Sequence, residues 1–575
     1  MKIKHLFGLA VIAAMTASCS SNEDLGNPGS GTNEAGVGYA TFTINLPSVG
    51  GTRAADAGGA EMDEGTAEEY AVKSATALIF QKYGSDEGSY KFVESVTLPI
   101  GGWTDDPTDG ITTTSRKLTA KLTNVDTKNT YAVLVLLNNK TASGVKITLP
   151  SVGQSYNEWN NNAQLPTVTD LAAENDFYMA NAPLKVDASP TTLVTIDKDN
   201  IYPTKEKAEA GTSAATVYVE RGVAKMSVTA PGTKKVTDKA TNTATESTVE
   251  FSNWALDITN KKTYAVHNID GLSTDFSAIW TTARFTGTNN RVYWGKDPNY
   301  DKIVLKDADD ASDTERDNEF NFIKTTSDIN LDFGKSTYCL ENTFNLENMY
   351  QGQTTRVIFK ATYTPKDNAG NSLADAGGTF YTIGNMTTIL KKADLKTAVD
   401  AAATSVLPGC TVDYTNLETG GSHVITLADI KDDTGTVLDG ATTYNIGTST
   451  KTGDEIVADI NAKLGLKAGR KEEMVGINTY LNGVTYYIAR VRHFDDGLTG
   501  WNSGESYGTY NNKYLGRYGM LRNNSYVLEV GKVFGPGYPG VPPVDPTLPD
   551  DENEKYLSVS VKILSWAKRS HTVDL

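Results

Sequence analysis

ATFTINL at residues 40–46 and LSVSVKI at residues 557–563 are two alternating stretches that decide the fold of this chain. The apolar residues of both stretches recur at every second position: Ala40, Phe42, Ile44 and Leu46 in the first, and Leu557, Val559, Val561 and Ile563 in the second. A period of two is typical of a β-strand with one buried face. We therefore predict a strand near each end of the chain, with similar apolar faces.

Further alternating runs, separated by turn-forming residues, predict a mainly β protein. The composition agrees, with 28 Tyr and 51 Gly among 575 residues. Helical spacing is restricted to 395–407 and 454–466, where Asp454 is the predicted N-cap of the second helix. The runs that predict strands are 74–83, 130–137, 216–230, 354–365, 483–494 and 523–534.

The N-terminus has the pattern of an export signal. Lys2 and Lys4 precede an apolar run at residues 6–15, and small residues lead to Cys19. A cysteine at this place is typical of a bacterial lipoprotein, in which it is lipidated and becomes the first mature residue. The alternative is an ordinary signal peptide with an incidental cysteine. The polar, Gly-rich residues that follow Cys19 predict a flexible tether.

Only Cys339 and Cys410 remain beyond the signal. The sequence leaves open whether they form a disulfide or stay as buried thiols, because it does not establish their distance. A chain of this length does not need a disulfide to stabilise its core.

Charge and motifs exclude several classes of function. The formal net charge is −17, without the basic cluster that a nucleic-acid-binding protein needs. No spaced histidine pair, nucleophile elbow or phosphate-binding loop is present in the sequence. We therefore predict no enzyme activity, no cofactor, no metal and no nucleic-acid partner.

A candidate processing site follows the first predicted strand. Residues 50–59 read GGTRAADAGG, and Arg53 is the only arginine in residues 1–115. A Gly/Ala-rich loop would expose the bond between Arg53 and Ala54 to a protease. The alternative is an ordinary arginine in a flexible loop.

The second predicted strand follows a proline-rich arm. Residues 535–555 read GPGYPGVPPVDPTLPDDENEK and contain six prolines. Such a segment resists sheet formation and acts as a semi-rigid spacer, so we predict that it lets the last strand swing outwards. The alternative is a long surface loop before an ordinary final strand.

Several segments resemble the fimbrillins of type V pili, which are lipoprotein-derived pilins of Gram-negative anaerobes, and among them the major structural subunits of short (minor) fimbriae. The resemblance extends from the signal to the last residue. The segments that carry it are YVERGVAKMSV (218–228), NWALDITNKKTY (253–264), TYCLENTF (337–344), TTRVIFKATYTP (354–365), TYYIARVRHFDDG (485–497), LRNNSYVLEVGKVFGPGYP (521–539) and the ending VKILSWAKRSHTVDL.

The resemblance implies two transthyretin-like β-sandwich domains, with short helical inserts in the C-terminal one. It also implies that an Arg-specific protease removes the lipidated N-terminal piece. The expected organisation is a signal peptide at 1–19, a tether and propeptide strand at 20–53, an N-terminal domain at 54–230, a C-terminal domain at 231–534, and an arm with the donor strand at 535–575.

The function expected from this resemblance is that of a fimbrial subunit that polymerises by strand exchange. Cleavage after Arg53 would release strand 40–46, and strand 557–563 of another copy would take its place, with Trp566 locking it. Expected partners are other copies of the chain, anchor and tip subunits, the maturation protease, and host or bacterial surface ligands. The precursor would lie at the outer membrane and the mature subunit in the fimbria. Alternatives are a tip or anchor subunit, or a surface glycan-binding lipoprotein.

Overall fold

The structure of the chain is a computed structural model. The structure describes residues 31–33, 36–47, 62–63, 65–101, 115–126, 128–186, 189–272, 292, 294–302, 314–470, 474–493, 515–546, 548–550 and 556–566. For residues 62, 185–186, 189, 314–315 and 562–566 the description is restricted to the backbone.

Most elements are short strands, and they fall into two groups along the chain. The strands before residue 222 are β1 (Gly38–Asn45), β2 (Met62–Asp63), β3 (Ala75–Gln81), β4 (Lys91–Leu98), β5 (Ser115–Leu122), β6 (Tyr131–Leu137), β7 (Ala172–Ala173), β8 (Asp176–Phe177), β9 (Met179–Asn181), β10 (Leu184–Val186), β11 (Ser189–Thr191), β12 (Val194–Thr195), β13 (Ile201–Tyr202) and β14 (Ala215–Arg221).

The second group holds the strands after residue 222 in the part of the chain that the structure describes. It comprises β15 (Ala224–Val228), β16 (Thr233–Thr237), β17 (Ala244–Asp257), β18 (Thr259–Asn260), β19 (Phe320–Asn321), β20 (Ser336–Cys339), β21 (Arg356–Thr364), β22 (Phe380–Ile383), β23 (Thr411–Val412), β24 (Gly421–His423), β25 (Ile430–Lys431), β26 (Thr443–Ile446), β27 (Ser449–Thr452), β28 (Ile477–Tyr480), β29 (Val484–Arg490), β30 (Asn524–Val533) and β31 (Leu557–Trp566).

Helices are few in the described part of the chain, and most are short. They are α1 (Ala67–Tyr70), α2 (Tyr156–Asn160), α3 (Val168–Leu171), α4 (Lys205–Ala210), α5 (Thr314–Glu319), α6 (Lys392–Val406) and α7 (Gly453–Lys463).

The first sheet folds into two leaflets around one core. Its strand order is β13-β1-β14-β9-β6-β3-β4, with β5 paired to β1 and β12 paired to β6. Strand β14 joins the leaflets, because its first residues pair with β1 and its last with β9. Buried side chains of both leaflets, among them Phe42, Phe80, Leu134 and Val217, form a single apolar cluster.

The second sheet has the same kind of organisation. Its order is β2-β31-β30-β16-β17-β21-β29, and β15 pairs with both β20 and β30. Strand β16 pairs along β17 and meets β30 at Val236, so it links the two leaflets. Met226, Trp254, Phe359 and Leu528 are buried between them. The prediction of a mainly β protein with sandwich-like domains is confirmed; the transthyretin-like topology stays a prediction.

The chain passes from the first sheet to the second at Gly222. A Cβ atom at this position would lie 2.8 Å from the Tyr178 ring, so only glycine allows this close turn. The predicted single run 216–230 is therefore two strands, β14 and β15, in different sheets. The change of sheet comes a few residues before the predicted boundary near 230.

A third core lies around α6 and α7, which are inserted between β21 and β29 in the chain. In α6 the buried residues Leu395, Val399, Ala403 and Val406 form one apolar stripe. The helices pack with the small sheet β22-β28-β24. The predicted helical inserts are thus present.

The predicted N-cap of α7 is wrong. The N-cap is Thr452, whose hydroxyl accepts from the Glu455 backbone N–H, while the Glu455 carboxylate accepts from the Thr452 N–H at 2.8 Å. This reciprocal pair is a capping box. Asp454 instead lies in the first turn of the helix.

Both cysteines of the globular part are free and buried. Cys339 belongs to the second core and Cys410 to the third. Burial raises the pKa of the Cys339 thiol to about 12. Of the two alternatives that the sequence left open, the structure has the buried thiols.

Candidate strand-exchange site

Strand β1 lies inside the first sheet. Along its whole length, from Gly38 to Asn45, it pairs antiparallel with β5, from Leu122 back to Ser115. On its other edge it pairs parallel with the start of β14, from Phe42↔Ala215 to Asn45↔Tyr218, and antiparallel with β13. The predicted N-terminal strand is confirmed, and it has neighbours on both edges.

The apolar face of β1 is fully inserted into the first core. Ala40, Phe42 and Ile44 have 0% exposure and Leu46 has 2%. Complete burial of a large apolar side chain contributes about 1.5–3 kcal/mol. Removal of β1 would therefore expose an apolar groove between β5 and β14.

The opposite face of β1 carries hydroxyl groups with specific partners. Thr41 is buried, and its Oγ1 donates to the Ala208 carbonyl of α4 at 2.9 Å and lies 2.8 Å from Thr119 Oγ1 on β5. Thr43 Oγ1 lies 2.7 Å from Ser213 Oγ. Both faces of the strand are thus matched to their surroundings, one by apolar and one by hydroxyl side chains.

Strand β31 is paired within its own domain. It runs antiparallel to β30, with Tyr526↔Ile563, Leu528↔Val561 and Val530↔Val559 as Cα partners. Leu557 is 3% exposed, and Val559 and Val561 pack against the second core. The predicted C-terminal strand is therefore present, and its apolar face covers its own domain in this state.

A bulge in β30 accommodates Ser558. The register between β30 and β31 shifts between Val530 and Val533, and the Ser558 hydroxyl accepts from the Lys532 backbone N–H at 2.7 Å. A Cβ atom on Gly531 would lie 2.7 Å from Ser558 Oγ. The Ser558 hydroxyl is therefore hydrogen-bonded when β31 is paired with β30.

The chain re-enters the described structure at β2, next to the C-terminal strand. Met62 and Asp63 pair parallel with Ser565 and Trp566 of β31. The Asp63 carboxylate lies 2.9 Å from Lys225 Nζ and accepts from the Ser525 hydroxyl at 2.8 Å. The segment after the candidate processing site is thus fixed to the second domain.

Lys225 lies between two carboxylates in this contact. Its Nζ is also 3.0 Å from Glu69 Oε1, and the Tyr338 hydroxyl donates to the same oxygen at 2.7 Å. Burial opposes ionisation of Asp63 and Glu69, but the Lys225 ammonium and the hydrogen bonds that each carboxylate accepts together outweigh it and hold the pKa of both carboxyls below its usual range. At neutral pH the cluster is therefore an ionised, hydrogen-bonded group.

The proline-rich arm is docked on the second domain over its described residues. Arg356 forms a buried ion pair with Asp257, at 2.8 Å, and donates to the carbonyls of Pro542 and Pro543 at 2.7 and 3.1 Å. Tyr480 Oη donates to the Gly537 carbonyl at 2.9 Å. The predicted free spacer is therefore not what this state of the chain has, because backbone carbonyls of the arm satisfy a buried arginine.

The residues of the candidate processing and lipidation sites, Cys19, Arg53 and Ala54, lie outside the described residues. So does the side chain of Trp566. The described chain leaves β1 at Pro47 and resumes at Met62, so these two residues bracket the candidate loop.

Sequence reasoning missed two features of this site. One is the hydroxyl face of β1, although the alternation of Thr41 and Thr43 with apolar residues was a readable signal. The other is β2, which is too short to leave a periodic pattern.

Neither a metal site nor a membrane helix is found in the part of the chain that the structure describes. No group of three or more His, Cys, Asp or Glu side chains there could hold a metal ion. No described helix is both long and apolar enough to cross a membrane.

Comparison with known proteins agrees with the resemblance. Residues 478–572, which include β29, β30 and β31, match the family model of the major fimbrial subunit protein type IV, fimbrillin, C-terminal region. A fimbrial assembly protein from Parabacteroides distasonis is a structural neighbour with 14% identity over 61% of this chain and 93% of that chain. Its TM-score is 0.24, too low to establish a shared fold. No curated protein matches the sequence. The family match confirms the predicted resemblance to the fimbrillins over the C-terminal region of the chain.

Proposed function

We propose that this protein is a structural subunit of a cell-surface fimbria that assembles by strand exchange. The family is one of fimbrial subunits, which supports a structural role in a surface appendage and assembly with other subunits. In this proposal, the precursor is exported as a lipoprotein through Cys19. Cleavage near Arg53 then releases β1, and β31 of another copy fills the groove.

The observation that carries this proposal is the position of β1. It is the first strand of the described chain and yet lies in the interior of its sheet, between β5 and β14. A single cut in residues 48–61 would free it without separating any of its neighbours from each other. An emptied groove with unpaired backbone groups favours a replacement strand.

The contact produced in this way would be head-to-tail. One copy supplies a C-terminal strand and the next copy supplies an N-terminal groove, so the two surfaces differ. A heterologous contact that does not close into a ring generates a filament. Such a filament would support adhesion to host or bacterial surfaces.

The state in which β31 covers its own domain is the stored form of the subunit in this proposal. Exchange requires β31 to leave β30, which uncovers the apolar side chains of Leu528 and Val530. The free energy gained when β31 enters the neighbour's groove must exceed the free energy lost when it leaves β30. This is possible only if the groove is empty, so assembly depends on prior release of β1. The filled groove of the precursor therefore prevents early polymerisation.

A tip or anchor subunit is the second candidate within the same family. A tip subunit receives a strand without donating one, and an anchor subunit keeps its lipid. A glycan-binding lipoprotein is less well supported, because such proteins expose tryptophan side chains. The three tryptophans whose side chains the structure describes, Trp159, Trp254 and Trp294, are all buried.

N-terminal sequencing of assembled material tests the proposal. A shaft subunit purified from filaments is expected to begin near Ala54, and an Arg53→Ala precursor should remain monomeric. Filaments in which Cys19 is retained and lipidated would contradict the proposed processing.

A further inference from the structure

We infer that the hydroxyl side chains of the C-terminal strand fix the register in which it enters the neighbour's groove. This inference rests on the proposed strand exchange. The two alternating stretches match on both faces when Leu557 takes the place of Ala40. Ser558 then replaces Thr41, and Ser560 replaces Thr43.

The groove has a specific place for each of these hydroxyls. At the first position, Thr41 Oγ1 bonds the Ala208 carbonyl of α4 and approaches Thr119. This position is 2% exposed, so a polar group here needs a partner and a large side chain has no room. Ser558 keeps the hydroxyl and is smaller than threonine, so it fits.

The second hydroxyl site is defined by Ser213. Thr43 Oγ1 lies 2.7 Å from Ser213 Oγ in the precursor, and Ser560 would present the same group there. Without a hydroxyl from the inserted strand, Ser213 would lose this contact.

The apolar face is compatible with the same register. Leu557 is larger than Ala40, which it would replace, and Val559 is smaller than Phe42, which it would replace. Positions 40 and 42 are neighbours on the same face of the strand. The gain and loss of volume are adjacent, so local repacking can compensate them. Val561 and Ile563 replace Ile44 and Leu46 with side chains of similar size.

A shift of two residues in either direction breaks this match. If Leu557 instead takes the place of Phe42, Lys555 falls at the buried Ala40 position and Tyr556 falls at the Thr41 position beneath α4. An unpaired charge in a buried apolar position is strongly unfavourable.

The opposite shift, in which Val559 takes the place of Ala40, is also unfavourable. It places Ser565 at the buried Leu46 position and Leu564 at the more exposed Asn45 position. A shift by one residue exchanges the two faces and directs the serines into the core.

The direction of the strand follows from the same comparison. A reversed strand that keeps both serines on the hydroxyl sites places Lys555 at the buried Leu46 position. The inserted strand therefore runs as β1 does, antiparallel to β5 and parallel to β14.

Ser558 has a partner before and after exchange. In the stored state its hydroxyl accepts from the Lys532 N–H in the bulge of β30. In the groove it would meet the Ala208 carbonyl and Thr119. Serine can act as acceptor in one state and donor in the other.

Disulfide cross-linking within filaments tests the register. Thr41 and Thr119 are directly opposite on β1 and β5, so Ser558→Cys and Thr119→Cys in one chain should form a bond between neighbouring subunits. The expected result is a shift of the monomer band to a covalent ladder on a non-reducing gel. The matched control, Ser560→Cys with Thr119→Cys, should leave most subunits monomeric on the same gel.

The outcomes separate the register from strand exchange itself. A ladder from the Ser560 pair and none from the Ser558 pair would overturn the register and leave strand exchange standing. Filaments that give no ladder with either pair would overturn both.

A peptide experiment replaces the gel where the double variants do not assemble. Peptide 555–566, with cysteine at position 558 or 560, is added during cleavage of the Thr119→Cys subunit, and the adduct is read by intact mass. Preference for the 558 peptide supports the register. Equal or reversed preference, or no adduct, overturns it.

Discussion

At the scale of single residues, Lys225 determines how the segment after the candidate processing site is held. It forms ion pairs with Asp63 and Glu69, which lie on β2 and α1. A buried lysine between two carboxylates is stable only while all three groups are charged. The contact of β2 with the second domain therefore depends on pH.

The sign of this dependence follows from the lowered pKa of Asp63 and of Glu69. A carboxyl with a lowered folded-state pKa stabilises the fold above its unfolded pKa, about 4, and this stabilisation is lost as pH falls through the folded value. We expect amide hydrogen exchange at residues 62–66 to accelerate below about pH 4, measured by mass spectrometry against the pH 7 rate after correction for intrinsic exchange.

Lys225→Met is the control for this prediction. Without the ammonium, the two carboxyls are buried next to each other and resist ionisation. The pH dependence of amide protection should therefore reverse, and protection of the same amides should fall as pH rises from about 4 to 7. Identical pH profiles in the two proteins would show that these ion pairs do not hold β2.

At the scale of elements, the docked arm depends on Arg356. This residue links the buried carboxylate of Asp257 to the carbonyls of Pro542 and Pro543. Breaking a buried ion pair costs about 3–5 kcal/mol because the remaining charge is left uncompensated. We expect Arg356→Ala to lower the free energy of unfolding by about this amount, measured by denaturant titration, and to accelerate proteolysis of the arm.

An exposed ion pair provides the comparison. Lys335 and Asp332 are 2.8 Å apart, but their side chains are 69% and 61% exposed. Lys335→Ala should change the unfolding free energy by less than about 1 kcal/mol and leave proteolysis of the arm unchanged. Equal effects of the two substitutions would mean that Arg356 does not hold the arm.

The same elements show what the sequence could predict. The alternation of residues 40–46 predicted β1 and its buried face, because period two is a local signal. Docking of the arm was not predictable, since Arg356 and Pro542 are far apart in the chain and their contact arises only in the fold. The cap of α7 is readable from the sequence, because Thr452 and Glu455 have the spacing of a capping box, whereas Asp454, the predicted cap, lies in the first turn.

Some features of the candidate strand-exchange site could likewise be predicted from the sequence, and others could not. The two end strands and their apolar faces were predicted from periodicity. The partners of Thr41 were not, because Thr119 and the Ala208 carbonyl belong to other elements. The change of sheet at Gly222 depends on the Tyr178 ring, which no local pattern indicates.

At the scale of the whole molecule, the two ends of the chain occupy complementary places. β1 fills the N-terminal groove, β31 covers the C-terminal domain, and β2 lies next to β31. The chain from Pro47 to Met62 therefore connects the strand that would leave with the domain that would donate. A cut there changes the state of the groove and leaves β2 attached to the donor domain.

The most direct test of strand exchange combines one copy that can only receive a strand with one that can only donate. The receiver lacks residues 556–575 and carries a site for a sequence-specific protease within residues 48–61. The donor is the full chain with Arg53→Ala and no such site, so its own groove stays filled. Circular dichroism first confirms that both are folded, and native mass spectrometry then measures the mixture. We expect a one-to-one heterodimer only after the receiver is cleaved; a heterodimer before cleavage, or none after it, would contradict the account.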